Sequence, residues 1–254
     1  MTAPTPDHRI AGPANAFGPA AADYEWARPT YPSAAVHRLA GELGVGPGSR
    51  VCDLAAGTGK LTRLLAATGA DVVAVEPVAG MRDQLRGACP EVEVLDGTAE
   101  AIPLPDGSVD VVTVAQAFHW FRFDEALAEI ARVLRPGGGL AILFNERDAR
   151  VGWVAEWNDA IEWHSRTIAV YQATDWSAVL AENGFTGMGR AEVAWEEPTD
   201  RQRLAARVRS VSYVAQEPPA GQQEYVDRVL ALVEDFPAEF SVPYRTHLWW
   251  ARRP

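Results

Sequence analysis

The chain has 254 residues, 48% hydrophobic and 22% charged, which is enough apolar material for one large domain, or one domain with an elaborated cap. Thirty-four acidic residues against 23 basic ones leave a net charge of −11, which repels a phosphate backbone and argues against a nucleic-acid partner. No run approaches about 18 apolar residues, the opening residues lack the basic and apolar regions of an export signal, and two cysteines form no CxxC, so the expectation is a cytoplasmic chain with no membrane partner.

Residues 1–32 read as a lead-in. Ser33 is placed to N-cap a helix with the apolar stripe Val36, Leu39, Ala40 and Leu43, closed by Gly44. A Gly/Pro turn precedes a short apolar strand over 51–54, then glycines, then a helix from about 59 with Leu61, Leu64 and Leu65 on one face. A strand over 71–75, a helix near 81–86, a strand over 92–95, the turn PLPDGS and a strand over 109–115 follow. A helix carrying Ala126, Leu127, Ile130 and Leu134 is expected to stop at the run RPGGG of 135–139, before a fifth strand over 140–144. Short apolar strands alternating with helices imply right-handed βαβ units around a buried parallel sheet.

Beyond Asn145 the pattern changes. Trp153, Trp157, Ile161, His164 and Ile168 recur at helical spacing, and a short helix over 175–183 closes at Gly184. Ala191, Val193 and Trp195 alternate with polar neighbours as in a strand. Helices over 200–215 and 222–233 flank the breaker PPAG of 218–221, and 244–252 reads as a last strand. A strand, helices and a strand at the end of a parallel sheet suggest a hairpin-like edge with a helical insertion. The five histidines are scattered without metal-ligand pairing, so no metal site is expected.

The chemistry-bearing segment is DLAAGTGK, residues 53–60, between the first strand and the next helix, where an open α/β sheet binds ligands. A phosphate-binding P-loop fails here: Leu54 stands at the first glycine position and Leu61 at the hydroxyl position. The dinucleotide fingerprint is weakened, because Thr62 replaces its third glycine. A sulfonium nucleoside without phosphates, S-adenosylmethionine, needs a ribose acceptor and an ammonium/carboxylate clamp instead. Glu76, ending the second strand, supplies a carboxylate able to take both ribose hydroxyls.

Together the motifs VCDLAAGTGKLT, AVEP, GTAEAIPLPDGSVDVVTVAQAFHWF and EIARVLRPGGGLAIL resemble class I S-adenosylmethionine-dependent methyltransferases, the type-11, trans-aconitate-methyltransferase-like group in particular. The resemblance implies a Rossmann-like, seven-stranded, mostly parallel sheet with helices on both faces and a helical cap. On that reading residues 33–145, with 175–197 and 243–254, form the cofactor-binding core, and 1–32, 146–174 and 198–242 a discontinuous cap or substrate lid. It further implies that Asp53, Ala55, Gly57 and Gly59 line the methionine side of the cofactor and that Glu76 holds the ribose. Pro77 and Met81 would flank the adenine, Thr98, Ala99 and Glu100 would meet its edge, and Ala115 and Gln116 would sit below the sulfonium. The lead-in YEWARPTYP is also similar to a segment of this group. It brings Tyr24 and Arg28 to the cofactor, Arg28 either pairing with the cofactor carboxylate or stacking on Trp26 or Tyr31 at the surface.

Methyl transfer from a sulfonium is an in-line displacement that needs alignment, and a base only where the acceptor must lose a proton. His119, in the aromatic run FHWF after the fourth strand, is the base candidate, with buttressing of the loop as its other reading. Gln116 either positions an acceptor oxygen or closes the sulfonium pocket, and Asn145 ends the fifth strand at the same edge. Trp153, Trp157, Trp163, Tyr171 and Trp176 read either as a substrate wall or as core, and Arg207, Arg209, Ser210, Ser212 and Tyr213 either as a grip on a carboxylate-bearing acceptor or as a solvated face. The expected activity is methyl transfer from S-adenosylmethionine to a small-molecule acceptor, leaving S-adenosylhomocysteine. Three alternatives use the same chain differently: cyclisation of the sulfonium's own side chain with release of methylthioadenosine, non-catalytic cofactor binding, and nicotinamide-dependent oxidoreduction.

Overall fold

A computed structural model describes residues 25–163 and 174–254. Seven strands form one sheet in the order β3-β2-β1-β4-β5-β7-β6. The first five are parallel: β1 (Arg50–Leu54), β2 (Asp71–Val75), β3 (Glu93–Leu95), β4 (Val109–Ala115) and β5 (Leu134–Arg147). β6 (Thr186–Asp200) and β7 (Glu239–Arg252) form an antiparallel pair, with β7 inserted between β5 and β6. Strand order reverses between β1 and β4, which opens a crevice at their carboxyl ends.

Alternate residues of the central strands serve opposite faces, as a parallel sheet buried on both sides requires. Val51, Val72, Val111, Ala141 and Leu143 pack with Leu39 and Leu43 of α1 (Ser33–Leu43) and Leu61 and Leu65 of α2 (Lys60–Ala66). Cys52, Leu54, Val73, Val112, Val114 and Ile142 pack with Leu127 and Ile130 of α4 (Phe123–Val133) and Trp176 and Leu180 of α6 (Trp176–Glu182). α3 (Ala79–Ala88) seats Leu85 on Ala74 of β2. A separate helical layer joins α5 (Gly152–Ala160), α7 (Arg201–Arg209) and α8 (Pro219–Ala231) through Trp157, Leu204, Val208, Tyr225, Val226 and Val229. It rests on Val242 and Tyr244 of β7.

Several expectations are adjusted. α1 is preceded by Pro32 with no side-chain cap, so Ser33 is its first residue and not its cap, whereas Gly44 does close it at φ 76°. α4 does stop at Val133, just before the RPGGG run, but the run is not a turn ahead of the fifth strand. It is part of β5, whose pairing with β4 shifts register between Val109 and Val111 and whose Gly139 pairs with Arg252 of β7. The breaker at 218–221 is a helix start, because Pro219 occupies the first turn of α8, where its missing N–H is of no consequence. The helix expected over 200–215 ends at Arg209, with a 3-10 turn at Val214–Gln216. Asp200 and Asp175 cap α7 and α6 through their carboxylates. β6 and β7 each run a few residues into the segment expected for the cap. His164, Ile168, Tyr171 and Tyr24 lie outside the described residues.

Candidate active site

The loop after β1 turns through three left-handed residues, Ala55 (φ 56°), Gly57 (φ 59°) and Gly59 (φ 86°). The two glycines serve different needs. A Cβ at Gly57 would meet no protein atom within 4 Å and would stand in the cavity that Gly57 lines. A Cβ at Gly59 would lie 3.0 Å from Leu85 Cγ, so this glycine lets the start of α2 close against α3. Gly59 does not itself line the cavity.

Beneath the loop, Asp53 is buried and accepts hydrogen bonds from Thr62 Oγ1 (2.6 Å) and Thr113 Oγ1 (2.9 Å). Burial raises its pKa to about 6, although the two hydroxyls pull it down. Thr62, which breaks the dinucleotide fingerprint, therefore has a structural use as the partner of Asp53. Glu76 follows β2 and is almost wholly buried. Its Oε2 accepts the Gly57 N–H (2.9 Å) and its Oε1 the Val78 N–H (2.9 Å). Desolvation raises its pKa, and these two backbone donors and Arg82 oppose that shift. Each oxygen has accepted one donor and keeps capacity for another.

The opposite wall comes from the ends of β4 and β5. Gln116 takes φ 58° and donates from Nε2 to the Asn145 carbonyl (3.0 Å). Asn145 is engaged at both ends of its amide, donating to Thr30 O (2.7 Å) and accepting from Thr246 Oγ1 (2.6 Å). A 3-10 turn, Phe118–Trp120, sends consecutive aromatics in different directions. Phe118 enters the core, stacked on Phe123, while Trp120 and Phe121 line the cavity. His119 does not line it. Its ring packs against Trp120 and Phe144, and burial lowers its pKa to about 4, so it is neutral at pH 7.

The roof is the segment after residue 24. Glu25 accepts hydrogen bonds from Thr58 Oγ1 and Arg63 Nη2 (2.6 Å), and its carbonyl accepts from Lys60 Nζ (2.7 Å). Arg28, Pro29 and Tyr31 then pass over the cavity, and Arg28 Nη2 donates to the Ser210 carbonyl after α7. The cavity volume is about 490 Å³, in the range of small-molecule sites.

Of the residues expected from sequence, Arg28, Asp53, Ala55, Gly57, Glu76, Pro77, Met81, Thr98, Ala99, Glu100, Ala115, Gln116, Asn145 and Arg207 line this one cavity, whereas Arg209, Ser210, Ser212 and Tyr213 do not. Trp153, Trp157, Trp163 and Trp176 do not. Trp157 and Trp176 are core, Trp153 stacks on Trp157, and Arg147 lies between the rings of Trp157 and Trp163, 4.5 Å from each centroid. Sequence reading missed Pro29, Tyr31 and Lys60 as cavity residues, although Lys60 is the chain's only lysine and directly follows the glycine pair. Among the described residues no group of three His, Cys, Asp or Glu could hold a metal, and no helix is long and apolar enough to cross a membrane.

Comparison with known proteins matches residues 52–142 to the family described as "Methyltransferase domain". An uncharacterized methyltransferase of Mycobacterium tuberculosis is 42% identical over 235 residues, covering 91% of this chain and 92% of its own length. Among solved structures, the YcgJ protein of Bacillus subtilis superposes with a TM-score of 0.56 at 17% identity, covering 87% of this chain and 98% of that one. A geranyl diphosphate methyltransferase in complex with SAM has a TM-score of 0.51, also at 17% identity, covering 87% of this chain and 85% of its own; both likenesses are of fold alone.

Proposed function

The chain belongs to the class I S-adenosylmethionine-dependent methyltransferases, and on that premise we propose that its cavity binds S-adenosylmethionine and directs the methyl group to a small molecule enclosed beneath the helical layer of α5, α7 and α8. The observation that carries this reading is Glu76. Its buried carboxylate is fixed by one backbone donor on each oxygen and still faces a cavity with acceptor capacity on both. Two vicinal ribose hydroxyls match that pair of acceptors. The surroundings fit the rest of the ligand: open space over Gly57 for close main-chain approach, Pro77 and Met81 as apolar flanks for adenine, and Thr98, Ala99 and Glu100 at its edge. Arg28, which lines the same cavity, is the counter-charge for the methionine carboxylate.

When bound, the sulfonium supplies a methyl carbon already activated toward displacement by a neutral leaving group. The chain's own work is therefore positional. Gln116, held at φ 58° and tied to Asn145, fixes the wall beside the reacting centre, and its Oε1 is not engaged by the bond to Asn145. Asn145 positions Thr30 and Thr246 and holds the roof to the sheet. Trp120 and Phe121 narrow the mouth against water. His119, neutral but outside the cavity lining, supports the aromatic turn. The cavity continues past the cofactor-binding set to Tyr31, Trp120, Phe121 and Arg207, which leaves room for an acceptor and supports intermolecular transfer over cyclisation of the cofactor.

Isothermal titration with S-adenosylhomocysteine tests the reading. Micromolar binding by the wild type and a loss of about 10- to 100-fold in Glu76→Gln are expected. No binding at millimolar concentration contradicts it.

A further inference from the structure

Among the described residues, one cavity-lining arginine forms no salt bridge and is not the counter-charge assigned to the cofactor's carboxylate. Arg207, on the last turn of α7, is only 6% exposed and lines the cavity. Its Nε makes one long hydrogen bond, to Tyr244 Oη at 3.4 Å, and its Nη1 is buried with no partner. The nearby carboxylate of Glu197 is taken by Arg203 Nη2 at 2.5 Å. Of the cavity's other cations, Lys60 faces Glu25, Arg122 faces Glu125, and Arg28, which donates to the Ser210 carbonyl, is the counter-charge assigned to the cofactor's carboxylate. A guanidinium removed from water without a carboxylate is costly. The C-terminal end of α7, whose partial negative charge favours a cation, offsets only part of that cost. Such a group is retained where a ligand completes it.

We infer that Arg207 is the anchoring residue for a carboxylate on the methyl acceptor, so that the acceptor class is a small monoanionic acid with an apolar body. This rests on the functional reading above and extends it. The anchor's surroundings set the body: Tyr31, Trp120 and Phe121 are the aromatic side chains of the cavity, and planar apolar groups pack against them. With Arg28 taken by the cofactor's carboxylate, Arg207 alone in a chain of net charge −11 balances one negative charge on the acceptor and leaves a dianion undercompensated. The cavity's own buried carboxylates, Asp53 and Glu76, stand at the ends of β1 and β2, while Arg207 enters from the helical layer, so the acid-recognising and ribose-recognising groups come from different elements.

The test uses cinnamate and its neutral isostere cinnamamide as probes, titrated calorimetrically into the full chain saturated with S-adenosylhomocysteine. The wild type is expected to bind cinnamate at least about tenfold more tightly than cinnamamide. Arg207→Met removes that preference while S-adenosylhomocysteine affinity stays within about twofold, and Arg207→Lys, which keeps the charge, retains part of it. Equal or absent binding of both probes to the wild type overturns the inference, as does a preference that survives in Arg207→Met or a cofactor-product affinity that falls with it. Should Arg207→Met not fold, the comparison of wild type with Arg207→Lys decides between the same outcomes. Failure of S-adenosylhomocysteine to bind the wild type is seen before either probe is added, and it overturns the functional reading itself.

Discussion

The backbone N–H of Gly57 donates to Glu76 Oε2 at 2.9 Å, joining the loop after β1 to the end of β2. The same carboxylate takes the Val78 N–H on its other oxygen. One buried side chain thus sets the shape of the glycine loop and offers the acceptors for a ribose. Replacing Glu76 by Gln puts an NH₂ against one of two N–H donors. The variant should lose about 1–3 kcal/mol of stability together with its cofactor-product affinity, as read by urea denaturation and calorimetry on the same preparation. Loss of stability with unchanged affinity would make Glu76 purely structural.

The two glycines of the loop should separate under substitution. Gly57→Ala places a methyl group in open cavity space at positive φ, so stability falls by about 1 kcal/mol and S-adenosylhomocysteine affinity falls by about tenfold or more. Gly59→Ala drives its methyl against Leu85 at a more strained position away from the cavity. It should cost more stability, about 2–3 kcal/mol, and less affinity. Thermal melts with and without ligand distinguish the two.

Asp53 and His119 predict opposite pH dependences. Asp53 titrates near 6 when folded instead of 3.8, so the folded state binds more protons between those values and stability falls as pH rises through them. His119 titrates near 4 when folded instead of 6.5, so the unfolded state binds more protons and stability falls as pH drops through that window. Each effect is at most about 3 kcal/mol, and between about pH 4 and 6 they largely cancel. Relative to the parent, Asp53→Asn should gain stability as pH rises from 4 to 6, and His119→Phe should gain as pH falls from 6.5 to 4. Denaturant titrations across that range check both signs.

Lys60 is the sole lysine; it lines the cavity, its ammonium donates to the Glu25 carbonyl, and burial lowers its pKa. Reductive methylation followed by mass spectrometry should mark this one side chain, and S-adenosylhomocysteine should suppress the mark by about tenfold. Labelling that ignores the ligand would place the binding site elsewhere.

Much of the sheet could be read from sequence because its strands are short apolar runs with one period. The strand over 71–75 and the strand over 109–115 are found at those bounds. The glycine loop was equally legible, since left-handed backbone demands unusual residues. What could not be read depends on distant partners. The RPGGG run ends the helix as its composition suggests, yet it also belongs to a strand, whose Gly139 pairs with Val111 of β4 on one side and with Arg252 of β7, from the far end of the chain, on the other. His119 sits one residue from Trp120, and nothing in FHWF says that a 3-10 turn will put one in the cavity lining and leave the other out. Arg207 is indistinguishable in sequence from Arg203 and Arg209 on the same helix; only the packing of α7 on Tyr244 buries one of them.

A crystal of the protein soaked with S-adenosylhomocysteine is the most direct measurement. Both ribose hydroxyls should lie within hydrogen-bond distance of the two Glu76 oxygens, with the amino-acid tail on the main chain of residues 55–57. A nucleoside found outside this cavity, or inside it with the sugar turned away from Glu76, would contradict the assignment.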